Sequence, residues 1–439
     1  IYYRVISQLF LSCDTKSRYI MKPQNHIIQT SLHILLIFSF SLICQGCEEN
    51  DKDLRLRSLE NETYFWENAK DAAQRLGEIM YHSENGKKVS ERFKLVQISD
   101  PHLSDYSPSC HYDNPINLIQ AVKFANQQEL KINALAATGD FISYSDDKEK
   151  AKNYMRSFNH FFLWENFIPS FACTGNHDCN MDGNANASVI TKAEIHEILF
   201  TGNNNATLHQ PDGENYYYAD VANPQGGYIR FIALDMLDQP TTRYNTLHNV
   251  IFSSEQIQWL IQVALKEGMT DNHSVIILTH YPFQPYSGNA STYLCDGNYM
   301  HPWSMIPEII EAFRGRTTLN KIYKNRSIRT EDIRVEADFS DYQGEFICYL
   351  GGHAHCDASF SIEDLENRNS SLLPQRMFLC TNLAPSEKGQ IYNSVERTED
   401  SSSSNSFRIY AIDTIEKKIF VTFFGAHKSS AKSISEVSY

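Results

Sequence analysis

The chain has 439 residues, which is too long for one minimal domain and long enough for a large catalytic domain with additions. Hydrophobic residues make up 42% of the chain and charged residues 21%, a composition that excludes wholesale disorder and a multi-span membrane protein. The formal net charge of -14 and the lack of a basic stripe argue against nucleic acid as the partner and leave small phosphorylated substrates open.

The N-terminal part of the sequence predicts export. Residues 1–20 precede Met21 and are interpreted as an upstream extension. Residues 21–47 form the predicted signal peptide, whose apolar run at 33–44 is shorter than the roughly 20 residues that span a bilayer. The run leads to Cys47 and an acidic tether, which resembles a bacterial lipoprotein cleavage site. We therefore expect a lipid anchor at Cys47 that holds the protein at the membrane of the cell envelope, with plain secretion as the alternative.

The rest of the chain predicts a layered α/β fold. A tether and helical prelude is expected over residues 48–90, followed by one large domain over residues 91–428. Short runs rich in Val, Ile, Leu and Phe predict strands, and apolar residues at spacings of three and four predict helices between them. The predicted strands are 93–98, 134–138, 170–174, 228–234, 274–278, 346–350, 377–380, 407–412 and 418–424. The predicted helices are 115–130, 148–164, 254–265 and 303–314.

Five of these strands are followed at once by side chains that bind metal ions. Chemistry in open α/β sheets lies at the carboxyl ends of strands, so these side chains are expected to meet. Each motif alone is more often a turn or a structural histidine, but five together are hard to explain by packing. Oxygen and nitrogen donors without thiolates favour Mn, Fe, Zn or Ni. The motifs are Asp100-Pro101-His102, Gly139-Asp140, Gly175-Asn176-His177-Asp178, His280 and Gly352-His353-Ala354-His355.

The five motifs, in this order, resemble those of the calcineurin-like metallophosphoesterase family: D-x-H, G-D, G-N-H-D/E, a single His and G-H-x-H. The resemblance covers about residues 93–360. It implies an α/β/β/α sandwich with the helices outside and a centre of two divalent metal ions bridged by Asp140. The implied ligands of one ion are Asp100, His102, Asp140 and His355. Those of the other ion are Asp140, Asn176, His280 and His353.

The chemistry expected of such a centre is phosphoester hydrolysis. Two cations about 3.5 to 4 Å apart can share a hydroxide and neutralise the charge that grows on the phosphoryl oxygens. His177, next to the ligand Asn176, is predicted to protonate the leaving group, and Asp178 to orient its imidazole. The alternative is that His177 only supports the ligands. Protein phosphatases of this family carry an Arg shortly after the second-motif Asp; Phe141 follows Asp140 here, which argues against a phosphoprotein substrate.

Other residues are weaker candidates. His111, beside Cys110, reaches the substrate or is a solvated loop residue. Tyr281 and Phe283 line the pocket or only pack, and Tyr216–Tyr218 belong to a strand.

The predicted function is hydrolysis of a small phosphomonoester or phosphodiester by an exported enzyme. A nuclease is the enzymatic alternative, which the acidic balance disfavours. A catalytically silent binding module on the same scaffold is the other alternative. It is disfavoured because such modules normally lose ligands, and all seven are present.

Overall fold

The computed structural model describes twelve segments of the chain: residues 51–104, 114–164, 167–180, 188–200, 207–238, 252–283, 304–324, 332–362, 372–383, 397–398, 401–427 and 433–439. The chain divides into two compact units, Ile1–Leu59 and Glu60–Tyr439, and all strands of the described segments lie in the second unit. Within the described segments, no helix combines the length and apolar character needed to cross a membrane. The predicted signal peptide at 21–47 lies outside them.

The secondary structure alternates between strands and helices, as the sequence predicts. The strands in chain order are β1 Tyr81–Glu84, β2 Lys87–Glu91, β3 Phe93–Ile98, β4 Ala134–Thr138, β5 Ser170–Cys173, β6 Tyr217–Ala222, β7 Tyr228–Ala233, β8 His273–Leu278, β9 Thr318–Tyr323, β10 Ile333–Asp338, β11 Glu345–Gly351, β12 Ala358–Ile362, β13 Gln375–Leu379, β14 Ser406–Asp413, β15 Lys418–Gly425 and β16 Ser435–Ser438. The α-helices are α1 Asp51–Ile79, α2 Asn114–Ala125, α3 Lys148–Phe158, α4 Lys192–Phe200, α5 Ser254–Trp259 and α6 Met305–Gly315. The π-helical segments Asn159–Trp164 and Leu260–Ala264 continue α3 and α5.

Two six-stranded sheets form the centre of the second unit. The first sheet has the order β16-β15-β14-β3-β4-β5, and the second has the order β12-β13-β11-β8-β7-β6. Strands β3, β4 and β5 run parallel to one another, as do β7, β8, β11 and β13. The carboxyl ends of each parallel set therefore meet at one edge of its sheet.

Three apolar layers show that the sheets pack face to face with helices outside. Phe93 and Leu95 of the first sheet share one buried cluster with Ile276 and Leu278 of the second sheet. The opposite face of the first sheet packs against α1 to α4, and the opposite face of the second sheet packs against α5, α6 and the β9–β10 hairpin. This arrangement is an α/β/β/α sandwich and confirms the predicted fold class.

The strands that carry the motifs are continuous apolar runs because both of their faces are covered. Every residue of β3, β4, β5 and β8 is buried. Burial on both faces favours Val, Ile, Leu and Ala throughout, as expected for parallel strands. The predicted bounds of β3 and β4 are confirmed to the residue, and those of β5 and β8 to within one residue.

The predicted helical prelude was wrong in its last part. Helix α1 ends at Ile79, and β1 and β2 then form an antiparallel hairpin. The hairpin turns at Asn85 and Gly86, which both have positive φ angles (51° and 76°). Asn-Gly is the commonest sequence for such a two-residue turn, so this dipeptide was the sequence signal for the hairpin.

Candidate metal centre

The predicted ligands converge where the two sheets meet. They follow β3, β4 and β5 of the first sheet and β8 and β11 of the second sheet. Two groups of side chains have ligand atoms that all lie within 4.8 Å of one another. The first group contains Asp100, His102, Asp140 and His355, and the second contains Asp140, His280 and His353. Asp140 belongs to both groups, as the resemblance implies for a bridging ligand.

Two histidines and two carboxylates define the first group. The Nε2 atoms of His102 and His355 are 3.1 Å apart. His355 Nε2 lies 3.3 Å from Asp100 Oδ1, and His102 Nε2 lies 3.7 Å from Asp140 Oδ2. Four donor atoms therefore point into one small volume.

Asn176 joins the second group through its side-chain oxygen. Asn176 Oδ1 lies 3.1 Å from His280 Nε2 and 3.1 Å from His353 Nδ1. His280 Nε2 is also 3.1 Å from Asp140 Oδ2. The structure thus brings all seven predicted ligands together in two adjacent groups.

The backbone at these ligands is unusual. Five of the seven have positive φ angles, a conformation that costs residues other than glycine about 1 to 3 kcal/mol each. They are Asp100 (49°), His102 (46°), Asp140 (54°), His353 (65°) and His355 (48°). Strained conformations of this kind cluster at functional sites, and here they turn the side chains out of the strand ends toward a common point.

Two glycines let the backbone segments of the site approach closely. A Cβ atom on Gly175 would lie 2.3 Å from Asp140 Oδ1. A Cβ atom on Gly352 would lie 1.9 Å from Ser99 Oγ and 2.6 Å from Asp100 Oδ2. Any side chain at either position would push a predicted ligand out of place.

Asp140 is the electrostatic centre of the site. Burial raises its pKa, but the positive charges of His280 and His177 outweigh burial, so the pKa lies well below its usual value. Burial lowers the pKa of His280, whereas the charge and hydrogen bond of Asp140 raise it more, to about 9. The pKa of His353 is well below its usual value, chiefly because of burial. Asp140 is therefore ionised and His353 neutral, the forms that bind metal, whereas His280 is protonated near neutral pH and binds metal on losing that proton.

The donor set fits two divalent metal ions. His280 donates through Nδ1 to the carbonyl oxygen of Thr138 at 2.7 Å, which leaves Nε2 as the metal-binding nitrogen. The seven side chains supply only imidazole nitrogen, carboxylate oxygen and amide oxygen, the donors that Mn, Fe, Zn and Ni accept. Each group supplies four donors, with Asp140 counted in both, which would leave positions on an octahedral ion open for substrate or water.

Of the two predicted catalytic residues, only His177 faces the site. Its Nε2 atom lies 4.0 Å from Asp140 Oδ2, and its side chain is 32% exposed. Its Nδ1 atom is buried and has no hydrogen-bond partner among the described residues.

The predicted role of Asp178 in orienting His177 was wrong. The Asp178 carboxylate accepts hydrogen bonds from the backbone N–H groups of Asp140 (3.1 Å), Phe141 (2.6 Å) and Gly175 (2.7 Å). Asp178 therefore fixes the backbone that carries Asp140 and makes no hydrogen bond to the His177 ring within the described segments. Its pKa is raised well above the usual value by burial and by the charge of Asp140.

The sequence analysis missed Asp235, which follows β7. Its side chain is fully buried and accepts a hydrogen bond from Thr174 Oγ at 2.6 Å, next to the Gly175 motif. Burial and the neighbouring Asp238 raise its pKa to about 6. The sequence signal was the same as at the other motifs, a polar residue directly after a buried strand.

The weaker candidates divide into packing residues and residues outside the described segments. Tyr281 is buried and stacks on the His353 ring at a centroid distance of 3.8 Å. Phe283 packs in the core beside the second sheet. β6 begins at Tyr217, which confirms the predicted strand for Tyr217 and Tyr218, and Tyr216 lies directly before it. Cys110 and His111 lie outside the described segments.

Comparison with solved structures gives matches at low sequence identity and with TM-scores below 0.5. A dimetal phosphatase from Danio rerio is 12% identical, with a TM-score of 0.48 over 79% of this chain and 99% of that chain. PhoD is 11% identical, with a TM-score of 0.41 over 80% and 73%. TT1561 of Thermus thermophilus is 9% identical, with a TM-score of 0.30 over 72% and 93%.

Comparison at the sequence level gives a family and no individual relative. No curated protein matches the chain. The family model for calcineurin-like phosphoesterases matches residues 93–357, which is more than half of the chain and contains all seven predicted ligands. The chain therefore belongs to the calcineurin-like phosphoesterase family and is a metal-dependent phosphoester hydrolase.

Proposed function

We propose that the chain is an exported hydrolase of a small phosphomonoester or phosphodiester, working with two divalent metal ions. The observation that carries this proposal is the pair of donor groups that share Asp140. The first ion would be held with Asp100, His102 and His355, and the second with Asn176, His280 and His353. When bound, the ions lower the pKa of a water molecule and neutralise phosphoryl charge.

His177 is the candidate for the proton that the leaving group needs. Its Nε2 atom lies 4.0 Å from Asp140 Oδ2, and its partial exposure gives it access to a bound substrate. Burial lowers the pKa of His177 more than Asp140 raises it. Proton donation therefore requires the negative charge of the substrate to raise this pKa on binding.

The net charge of the whole chain bears on the size and charge of the proposed substrate. A net charge of -14 disfavours polyanions, because backbone-phosphate binding depends on concentrated Lys and Arg. A substrate with a single phosphate group is repelled much less by the acidic protein than a polyanion is, and its phosphate would bind the proposed cations directly.

A substrate panel tests this proposal. The purified full chain would be assayed with Mn²⁺ on an aryl phosphomonoester, an aryl phosphodiester, a cyclic nucleotide and single-stranded DNA. We expect hydrolysis of at least one small ester and none of DNA. Preferential cleavage of DNA would support a nuclease instead, and no hydrolysis of any ester in a Mn²⁺-loaded protein would support a silent binding module.

Export and lipid anchoring belong to the same proposal. Their support is the apolar run at 33–44 followed by Cys47 and an acidic tether, the order expected of a lipoprotein signal. An anchor there would place the hydrolase at the membrane of the cell envelope.

A further inference from the structure

Gln97 is a buried polar side chain in an otherwise apolar layer. It lies on the face of β3 that also carries Phe93 and Leu95, between the two sheets. Its side chain is fully buried, as is the adjacent Tyr410 on β14. Burying an amide in such a layer is costly unless its hydrogen bonds are made.

The polar groups around Gln97 form a continuous hydrogen-bonded chain. Tyr410 donates its hydroxyl to Gln97 Oε1 at 2.5 Å, and Gln97 Nε2 donates to Thr138 Oγ1 at 3.1 Å. Thr138 Oγ1 donates to Ser99 Oγ at 2.9 Å, and Ser99 Oγ donates to Asp100 Oδ2 at 2.5 Å. This series of hydrogen bonds therefore runs from the middle of the sandwich to Asp100, a predicted metal ligand.

The direction of the hydrogen-bonded chain is fixed at Gln97, because the carbonyl oxygen of Gly351 only accepts and so must face Nε2. Thr138 Oγ1 then accepts from Gln97 Nε2 and donates to Ser99 Oγ, with the Ile98 carbonyl oxygen at 3.4 Å as a longer second acceptor. Ser99 Oγ donates to Asp100 Oδ2, with the Thr138 carbonyl oxygen at 3.2 Å as its longer second acceptor. Hydrogen bonds arranged in one direction polarise and strengthen one another.

The same amide also ties the two sheets together below the site. Gln97 Nε2 donates to the carbonyl oxygen of Gly351, the last residue of β11, at 2.9 Å. Just above it, the backbone N–H of His353 lies 3.1 Å from Asp100 Oδ2. Gln97 and Asp100 thus fix the distance between the first and fifth motifs at two levels.

We propose that Gln97 is a positioning residue that holds Asp100 and the His353 segment in metal-binding geometry. This inference rests on the proposed metal-dependent function and adds a residue outside the five motifs. Partners of metal ligands typically contribute about 10- to 100-fold to metal affinity. Gln97 does not contact the ligand Asp100 itself but acts on it through Thr138 and Ser99.

The test compares Gln97→Met with a matched control, Gln375→Met. Gln375 is also buried and accepts a hydrogen bond from the Tyr349 hydroxyl at 2.5 Å. It donates to the carbonyl oxygen of Pro307 at 2.9 Å and to Glu311 Oε2 at 3.2 Å, and within the described segments no hydrogen bond joins it to a predicted ligand. Mn²⁺ alone would be titrated into the chelated full chain by calorimetry, with thermal unfolding measured in parallel. We expect a roughly tenfold or greater rise in Kd for at least one Mn²⁺ with Gln97→Met. The control is expected to keep wild-type Mn²⁺ affinity despite comparable loss of stability.

A milder pair keeps the test decisive if Gln97→Met does not fold. Tyr410→Phe removes only the first donor of the chain, and Tyr349→Phe removes the equivalent hydroxyl of the control pair. We expect weaker Mn²⁺ binding with Tyr410→Phe alone. Equal Mn²⁺ affinity in both members of either pair would overturn the positioning role. Absence of Mn²⁺ binding in the wild-type protein would instead contradict the proposed function.

Discussion

His177 lies beside a predicted ligand without belonging to either donor group. Its ring contacts the His102 ring edge-on at a centroid distance of 4.8 Å. Two roles are open to His177 at this position, support of the ligands and proton donation, and substitution of His177 distinguishes them. A residue that supports the ligands affects metal content, whereas a proton donor affects the leaving group.

We predict that His177→Ala retains its metal and loses activity according to the leaving group. Loss of a general acid typically costs about 100- to 10,000-fold for a poor leaving group, and an aryl ester should suffer much less. Metal analysis and rates on an alkyl and an aryl phosphate check this expectation. Asn176→Ala is the control, because removing a ligand should lower metal content and slow both substrates together. Equal slowing of both substrates by His177→Ala would refute the proton-donor role.

Asp178 is predicted to matter for stability rather than for the leaving group. Asp178→Ala leaves three buried N–H groups without their carboxylate, those of Asp140, Phe141 and Gly175. Leaving a buried N–H group without its acceptor costs about 1 to 3 kcal/mol, so a loss of about 3 kcal/mol or more over the three groups is expected. Urea unfolding measures it. Wild-type stability combined with the leaving-group dependence of His177→Ala would restore the role in orienting His177.

At the scale of elements, the β1–β2 hairpin is joined to the β14–β15 turn by a buried carboxylate. Asp413 Oδ2 accepts hydrogen bonds from Arg92 Nε at 2.8 Å and from His82 Nδ1 at 2.9 Å. Gln225 Nε2 donates to Asp413 Oδ1 at 3.1 Å. Burial raises the pKa of Asp413, but these bonds and the backbone N–H of Glu416 lower it more, to about 2.

This lowered pKa predicts how stability depends on pH. A carboxyl whose folded pKa is below its unfolded value of about 3.9 stabilises the fold above that pH. The contribution is lost as pH falls through the folded pKa. We expect Asp413→Asn to lower the free energy of unfolding by about 2 kcal/mol at pH 7, and the difference from wild type to shrink between pH 4 and pH 2. Urea unfolding at several pH values checks this. A difference that does not change with pH would show that the charge of Asp413 contributes nothing.

The elements predicted best from sequence are those whose position follows from burial. Strands β3 and β4 have every side chain covered, so an apolar run marks their whole length. The β9–β10 hairpin was missed because no continuous apolar run marks it: β9 is mostly exposed, and β10 buries only alternate residues. Strands β12 and β16, at the edges of the two sheets, were missed for the same reason.

The candidate site was predictable in its ligands and less so in their support. The ligands sit at strand ends, and their order along the chain carried the family resemblance. Two of the three partners of Asp178 lie in the Gly139-Asp140 segment, so sequence adjacency to His177 was a poor guide to the contacts of Asp178. The hydrogen bonds of Gln97 were missed for a related reason, since they depend on which residues of the two sheets face each other.

At the scale of the whole molecule, export is a prediction from sequence alone. We expect Cys47→Ala to abolish lipid attachment, so that the protein leaves the membrane fraction or remains unprocessed. Fractionation of cells, with mapping of the mature N-terminus, measures this outcome. Ser99→Ala or another variant within the folded domain is the control and should stay with the membranes. A mature N-terminus elsewhere than Cys47 would contradict the anchor.

The central claim is that phosphoester hydrolysis depends on metal bound by the groups that share Asp140. The most direct measurement is the rate of aryl phosphate or phosphodiester hydrolysis by the purified chain before chelation, after chelation and after Mn²⁺ is returned. We predict that chelation abolishes hydrolysis and that Mn²⁺ restores it, because water becomes a competent nucleophile near neutral pH only when metal lowers its pKa. Full activity in a preparation shown to be metal-free would contradict the claim.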